Sequence, residues 1–395
     1  MLVRYCNKRL TIYNILSYLS TKLPFMKNLI FSFICLLFSS FNFAQTNTFY
    51  VSGTVINAET KQPMQGASVF AENTTFGTAT DPNGKFVLQL PNGGYSLVVS
   101  YTGFGTQSQR VSNNENIVLQ FEMSPKEKMM QEFSIVSSGE VKNGWEKYGK
   151  VFTDEFIGKS VNSINCTIKN PEVLKFFYSK RKGRLKVLAD DAVIIQNEQL
   201  GYNIKYQLDS FIHEYNTDVT VYTGFPLFEE MTAVNDMQKS KWADSRKNAY
   251  YGSVLHFMRS LYDMQLAEEG FEIQFIVKIK ESDTALKLKD FYGALNYEAL
   301  DSISPVKILP NQLSMGIIYN KEKPAQEYLN ENENEPSKFQ FSTINFQSKK
   351  AISIEQNGYY FEQNDITFTG YWSWIKMADA LPYDYEAPSI PQGGR

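Results

Sequence analysis

Few residues in this 395-residue chain have the types and spacing that chemistry needs. The two histidines, His213 and His256, stand in no spacing such as His-Glu-x-x-His or His-x-x-Glu that would bring two ligands to one zinc ion. No Gly-x-Ser-x-Gly elbow offers an activated serine, and no glycine-rich loop ending in Lys-Ser or Lys-Thr would cradle a phosphate. Cys166 lies between Asn165 and Thr167 in a predicted strand, so its thiol reads as a small core residue and not as a nucleophile. Adjacent acids occur at Asp190-Asp191, Glu229-Glu230 and Glu268-Glu269. Neighbours in a strand point to opposite faces, and neighbours in a helix diverge by about 100°, so adjacency alone does not make a catalytic pair. The sequence thus indicates no catalytic residue, no metal ligand and no cofactor.

One pair remains as a binding candidate. From Asp236 to Glu269 the apolar residues recur at three and four, which predicts one long helix stopped by Gly270. A narrow stripe of Ala249, Gly252, His256, Arg259 and Asp263 then faces away from the apolar side. Read functionally, His256 and Arg259 face a ligand. Read structurally, Arg259 and Asp263 form an i,i+4 ion pair on a solvated edge, while Gly252 lets a neighbour approach.

The elements that must position these residues lean towards β. Phe 29, Tyr 24 and Trp 4 make an aromatic share of 14%, and large rings pack well across a pleated surface. Lys+Arg 39 nearly balance Asp+Glu 42, without the long basic run that nucleic acid would demand, so nucleic acid is excluded as a partner. Met26-Lys27-Asn28, the apolar run Leu29 to Phe38, and the small and polar residues that follow read as a signal peptide over 26–44, cleaved after Ala44. That run is too short for a hydrocarbon layer of about 30 Å, which takes roughly 20 helical residues, so no integral membrane span is expected after signal removal. Residues 1–25 are expected to precede the real start. Cys6 and Cys35 fall in these segments, which leaves Cys166 without a disulfide partner.

From Phe49 to Met123 short alternating runs are separated by turn residues, as in a sandwich of two sheets. Strands are predicted at 49–55, 67–71, 77–80, 85–90, 95–101 and 117–123, with a tight turn at Asp81-Pro82-Asn83-Gly84. The residues Val51-Ser52-Gly53-Thr54-Val55, Pro63 with Gly66-Ala67-Ser68-Val69, Gly77 to Asp81, Gly84-Lys85-Phe86 and Ser100 to Phe104 carry a resemblance. In order and spacing this segment resembles the carboxypeptidase-like regulatory domain, an Ig-like, transthyretin-like β-sandwich of Gram-negative envelope proteins. The resemblance implies a noncatalytic module. It also raises the plug and barrel of outer-membrane transporters, which the stretch after Met123 is too short and too irregular to supply.

Residues 124–143 read as a linker, 145–381 as a larger β-rich α+β domain with the long helix, and 382–395 as a Pro-rich tail. Alternation is clearest in Tyr202, Ile204, Tyr206 and Leu208, one face of a half-buried antiparallel sheet. The segment 330–336, which alternates Asn and Glu before Pro336, is expected to be a solvated loop. The expected fold class is therefore mainly β. The expected function is that of a noncatalytic exported cell-envelope protein, periplasmic or outer-membrane associated, that binds or scaffolds a protein or glycan partner. The alternative is a carboxylate-dependent glycan hydrolase, which would need two carboxylates about 5 to 10 Å apart in one pocket of 145–381.

Overall fold

Alternation along the first strand sets the architecture. In β1 (Thr48–Asn57) Phe49, Val51, Gly53 and Val55 turn inward, and the strand pairs antiparallel with β4 (Lys85–Pro91) and parallel with β7 (Ile117–Met123). Gly53 is required by that crowding: a Cβ there would stand 2.2 Å from the Leu119 carbonyl oxygen. A second sheet runs β3 (Gly77–Ala79), β2 (Ser68–Ala71), β5 (Gly94–Ser100), β6 (Gln107–Ser112). The two sheets bury Val51, Val69, Leu90, Leu97, Val99 and Met123 between them. The predicted turn forms, with the Asp81 carboxylate accepting from the amides of Asn83 and Lys85 at 2.8 Å and Gly84 at positive φ. β6 has no counterpart among the predicted strands. Only Val111 of its residues points into the core, so the edge strand leaves no apolar alternation to read.

The structure is a computed structural model that describes residues 48–112, 117–126, 139–279, 282–301, 303–361 and 363–388. The upstream segment, the signal peptide, most of the expected linker and residues 389–395 lie outside the described residues. The chain from Thr48 onward is one compact unit.

The helix α1 (Gly144–Phe156) lays Phe152 and Phe156 on a third sheet. That sheet runs β8 (Cys166–Ile168), β11 (Val193–Asn197), β12 (Tyr202–Glu214), β10 (Arg184–Ala189), β9 (Leu174–Ser179), with β13 (Val219–Glu230) along the other side of β12. Phe152 meets Phe211 edge-on at 4.9 Å and stacks on Phe156 at 5.0 Å, so rings dominate this core. The predicted long helix is realised as α2 (Asp236–Tyr250) and α3 (Val254–Tyr262). The break is at Gly252, whose φ is +79° and where a Cβ would stand 2.5 Å from the Gln340 carboxamide oxygen. Ser253 then caps α3 by accepting from the His256 amide at 3.1 Å.

A fourth sheet runs β15 (Ser282–Lys287), β14 (Phe271–Ile279), β17 (Ser314–Tyr319), β18 (Gln340–Phe346), β20 (Ile366–Gly370), and packs on Phe257, Met258 and Leu261 of α3. β16 (Val306–Ile308) pairs with β19 (Ile352–Ile354), and α4 (Phe291–Ala294) lies between β15 and β16. Two short helices complete the chain, α5 (Gln326–Glu331) and α6 (Tyr371–Trp374). The start of the Asn-rich segment is thus helical, because Tyr328 has a pocket to fill against Tyr371 at 5.1 Å.

The sandwich is fastened to the third sheet by its own β2–β3 turn. The Asn73 amide donates to the Pro226 carbonyl at 2.7 Å, and the Phe228 amide to the Thr74 carbonyl at 2.9 Å, which extends the edge of β13 by a parallel bridge. Phe70, Val98 and Leu227 close over that bridge. The C-terminal segment locks it: the Tyr383 amide donates to the Asn73 carbonyl at 2.6 Å, and the Asp384 carboxylate accepts from both the amide and the hydroxyl of Thr75.

A second joint is electrostatically expensive. Glu355, after β19, is fully buried against Gly94 of the sandwich, and neither carboxylate oxygen has a hydrogen-bond partner. Burial pushes its carboxyl up to about 7, with the Arg110 charge opposing. The folded chain therefore holds this proton more tightly than the unfolded chain, in which the carboxyl titrates near 4.5. The resulting penalty is absent below the unfolded value, grows as pH rises and is complete above the folded one, at about 3 kcal/mol. Glu355→Gln is predicted to raise the urea-unfolding free energy at about pH 8 and to leave it unchanged at about pH 4, which chemical denaturation at both values checks.

Candidate functional site

The break between α2 and α3 opens a cleft of about 560 Å³ between the third and fourth sheets. One wall is the turn after α1, where Ser160 and Asn162 are buried. A second is α2 with Ser245 and Asn248, and the far side is the loop after β17 with Glu322 and Lys323. Tyr251, Tyr371 and Trp374 supply rings. Tyr371 and Trp374 stack at 5.8 Å, and Tyr371 is held by the Ala325 amide, which donates to its hydroxyl at 3.3 Å.

Asp379 is the organising charge of the cleft. One carboxylate oxygen accepts from the Ser160 hydroxyl at 2.7 Å and the other from the Asn162 amide group at 2.8 Å. Burial pushes its carboxyl up, and these two hydrogen bonds oppose the shift. Its short 3₁₀ turn is pinned on both sides, because the Ala378 amide donates to the Ile157 carbonyl and the Asn197 side chain donates to the Ala378 carbonyl. Glu322 stands on the same cleft, its carboxyl also pushed up by burial, with Lys247 opposing. The cleft therefore combines flat apolar faces, neutral hydrogen-bonding groups and two carboxylates, a surface suited to a small polar molecule with an apolar side.

The candidates named from sequence are placed elsewhere. His256 is 3% exposed, ringed by Tyr250, Tyr251, Phe271 and Tyr319. Its Nδ1 accepts from the Gly252 amide at 3.1 Å, which leaves Nε2 as the donor to the Glu269 carboxylate at 3.2 Å. Desolvation, opposed by Glu269, pulls the imidazole down to about 4, so it is a neutral strut between the helix break and the turn after α3. Arg259 faces no solvated edge either. Its guanidinium donates to the carbonyls of Asn357 at 3.2 Å, Tyr385 at 2.8 Å and Tyr383 at 2.8 Å. Both residues turn inward because the helix break rotates the predicted stripe onto the fourth sheet and the C-terminal segment.

The acid pairs are spent singly. Asp190 faces Lys175 at 3.4 Å, Glu229 faces Lys205 at 2.8 Å, Glu230 faces Arg246 at 2.8 Å, and Glu269 meets His256. Asp191 accepts from the Thr102 hydroxyl of the sandwich at 3.2 Å. Cys166 is buried, and desolvation pushes its thiol up to about 12, which suits a core residue. Among the described residues no group of three or more His, Cys, Asp or Glu is placed to hold a metal ion, and no helix is long and apolar enough to cross a membrane. Sequence reading missed Asp379, although a lone acid inside Met377-Ala378-Asp379-Ala380-Leu381 is the signature of a buried carboxylate.

Three carbonyls on one guanidinium give Arg259 a role that a single ammonium cannot fill. Arg259→Ala and Arg259→Lys are both predicted to release residues 383–388, at a cost of about 2 kcal/mol or more. Limited proteolysis followed by mass spectrometry should find new cleavage there in both variants and none in the parent chain.

Comparison with known proteins bears on the sandwich. A 117-residue segment is 27% identical to "TonB-dependent receptor P3" of Formosa agariphila, covering 30% of this chain and 11% of that protein. The chain thus matches about a tenth of that relative's length. Among solved structures, a DUF3823 family protein from Bacteroides ovatus is 10% identical over 47% of this chain and 83% of its own, with a TM-score of 0.17. A putative membrane-associated protein of unknown function from Bacteroides fragilis is 13% identical over 41% of this chain and 65% of its own, with a TM-score of 0.16. Residues 51–135 match the family model of the CarboxypepD_reg-like domain, the regulatory sandwich that the motif residues predict.

Proposed function

We propose that this chain is a noncatalytic protein of the cell envelope, exported by a cleaved signal peptide to the periplasm or the periplasmic side of the outer membrane. In this reading the CarboxypepD_reg-like sandwich braces the α+β domain of residues 145–381, and the cleft beside Asp379 binds a glycan. The observation that carries it is the composition of that cleft. Tyr251, Tyr371 and Trp374 offer the flat faces on which a sugar ring stacks, and Asn162, Ser245 and Asn248 stand beside them as hydrogen-bonding partners for hydroxyls.

The second reading, a carboxylate-dependent glycan hydrolase, is favoured by Glu322 and Asp379 on one cleft, both with carboxyls pushed up by burial. Against it, both oxygens of Asp379 are already engaged by Ser160 and Asn162, which suits a fixed acceptor better than a proton donor.

An array of purified oligosaccharides, probed with the parent chain and with Trp374→Ala, separates these outcomes. Binding of at least one saccharide is expected, weakened about tenfold or more by Trp374→Ala, the loss of about 1.4 kcal/mol of stacking. No saccharide bound, or binding indifferent to Trp374→Ala, would overturn the glycan reading. Release of new reducing ends that Glu322→Gln abolishes would establish the hydrolase instead.

A further inference from the structure

The polar cleft does not end at Asp379. A second cavity of about 340 Å³ lies beyond it, and Ala249, Ser253, Ile375 and Asp379 line both. The character of the walls changes across that shared rim. Tyr222, Val254, Leu255, Phe368, Trp372 and Met377 line the second cavity. Trp372 presents its ring there with its N–H already spent, donating to the Gly252 carbonyl at 2.6 Å.

The polar groups of this cavity are committed elsewhere. The Asn73 side chain donates to the Leu381 carbonyl, and the Ser253 hydroxyl accepts from the His256 amide. Asp379 is held by Ser160 and Asn162. Burial pulls the Lys376 ammonium down, towards its neutral form. A ligand entering this cavity would meet carbon. A ligand in the adjoining cleft would meet amides, hydroxyls and aromatic faces.

We propose that the two cavities form one site for an amphiphile, with a saccharide head in the polar cleft and an acyl or alkyl chain in the apolar cavity. The inference rests on the glycan reading of the cleft and deepens it by naming the ligand class, a glycolipid. Continuity through the shared rim is what joins the halves, since a chain attached to a sugar stacked on Trp374 or Tyr371 has the second cavity beside it. Transfer of a chain from water to such walls gains about 0.8 kcal/mol for each methylene buried, so a short length of chain decides affinity.

Calorimetric titration of the whole chain tests this with n-dodecyl-β-maltoside and n-octyl-β-glucoside below their critical micelle concentrations, against maltose and glucose. An alkyl glycoside is expected to bind at least about tenfold more tightly than its free sugar, the gain from burying as few as about two methylenes. Val254→Trp, which fills the cavity, and Val254→Gln, which puts an amide into it, are each expected to abolish that gain while leaving the free sugar's affinity unchanged. Circular dichroism identifies a variant that has not folded, and the other then decides. Equal affinity for sugar and alkyl glycoside, or a chain-dependent gain that survives the folded variants, overturns the amphiphile and leaves the glycan reading standing. Binding of neither sugars nor alkyl glycosides overturns both.

Discussion

Everything beyond the sandwich is organised by one backbone connection, the parallel bridge that the β2–β3 turn makes with the end of β13. Two hydrogen bonds, from Asn73 to Pro226 and from Phe228 to Thr74, join the sandwich to the edge of the large sheet. Such a bridge is weak alone, because each hydrogen bond contributes only about 1 kcal/mol against the water it replaces. It becomes a joint through what closes over it. Phe70, Val98 and Leu227 exclude water from one side, and Tyr383 and Asp384 of the C-terminal segment cover the other. Arg259 then ties the same segment to α3, so sandwich, third sheet and fourth sheet are held at one place.

The two cavities inherit their geometry from that junction. Asp379 lies just before the segment that seals it, and its turn is anchored to α1 and to the end of β11. Asn73 and Tyr383, which make the joint, also line the apolar cavity. A sandwich that came loose would therefore open a wall of the proposed binding site. This gives a regulatory-type module with no chemistry of its own a physical part in binding: it fixes the walls against which a ligand packs. The same arrangement explains why the joint tolerates Glu355. A carboxylate buried without partners is costly when ionised, yet the surrounding contacts hold it in place.

Legibility in the sequence followed the local physics. The sandwich was readable because its strands alternate and its turns carry Asp, Asn and Gly where positive φ or a side-chain acceptor is required; Asp81 to Gly84 behave in the structure as their types predict. β6 was not readable, since a polar edge strand with only Val111 inward has no pattern. The helix over 236–269 was legible in period but not in its break, because what Gly252 makes room for, Gln340 and Tyr319, is distant in the chain. The site residues suffered most from this. His256 and Arg259 were visible as polar residues on a stripe, but which way the stripe faces depends on the break. Asp379, Ser160 and Asn162 come together only through tertiary contacts across roughly half the chain, and nothing local announces that Ser160 and Asn162 will serve a carboxylate.

The claim on which the account turns is that the sandwich and the larger body are one cooperative unit fastened at the β2–β3 turn. Native-state hydrogen exchange of the Asn73, Phe228 and Tyr383 amides tests it most directly, since these are the donors of the joint. The account predicts that all three are protected to the same opening free energy as core amides such as that of Val187, and that they lose protection together with them under denaturant. Exchange of the three at the rate of exposed loop amides, with the cores still protected, would show that the joint opens freely and would contradict it.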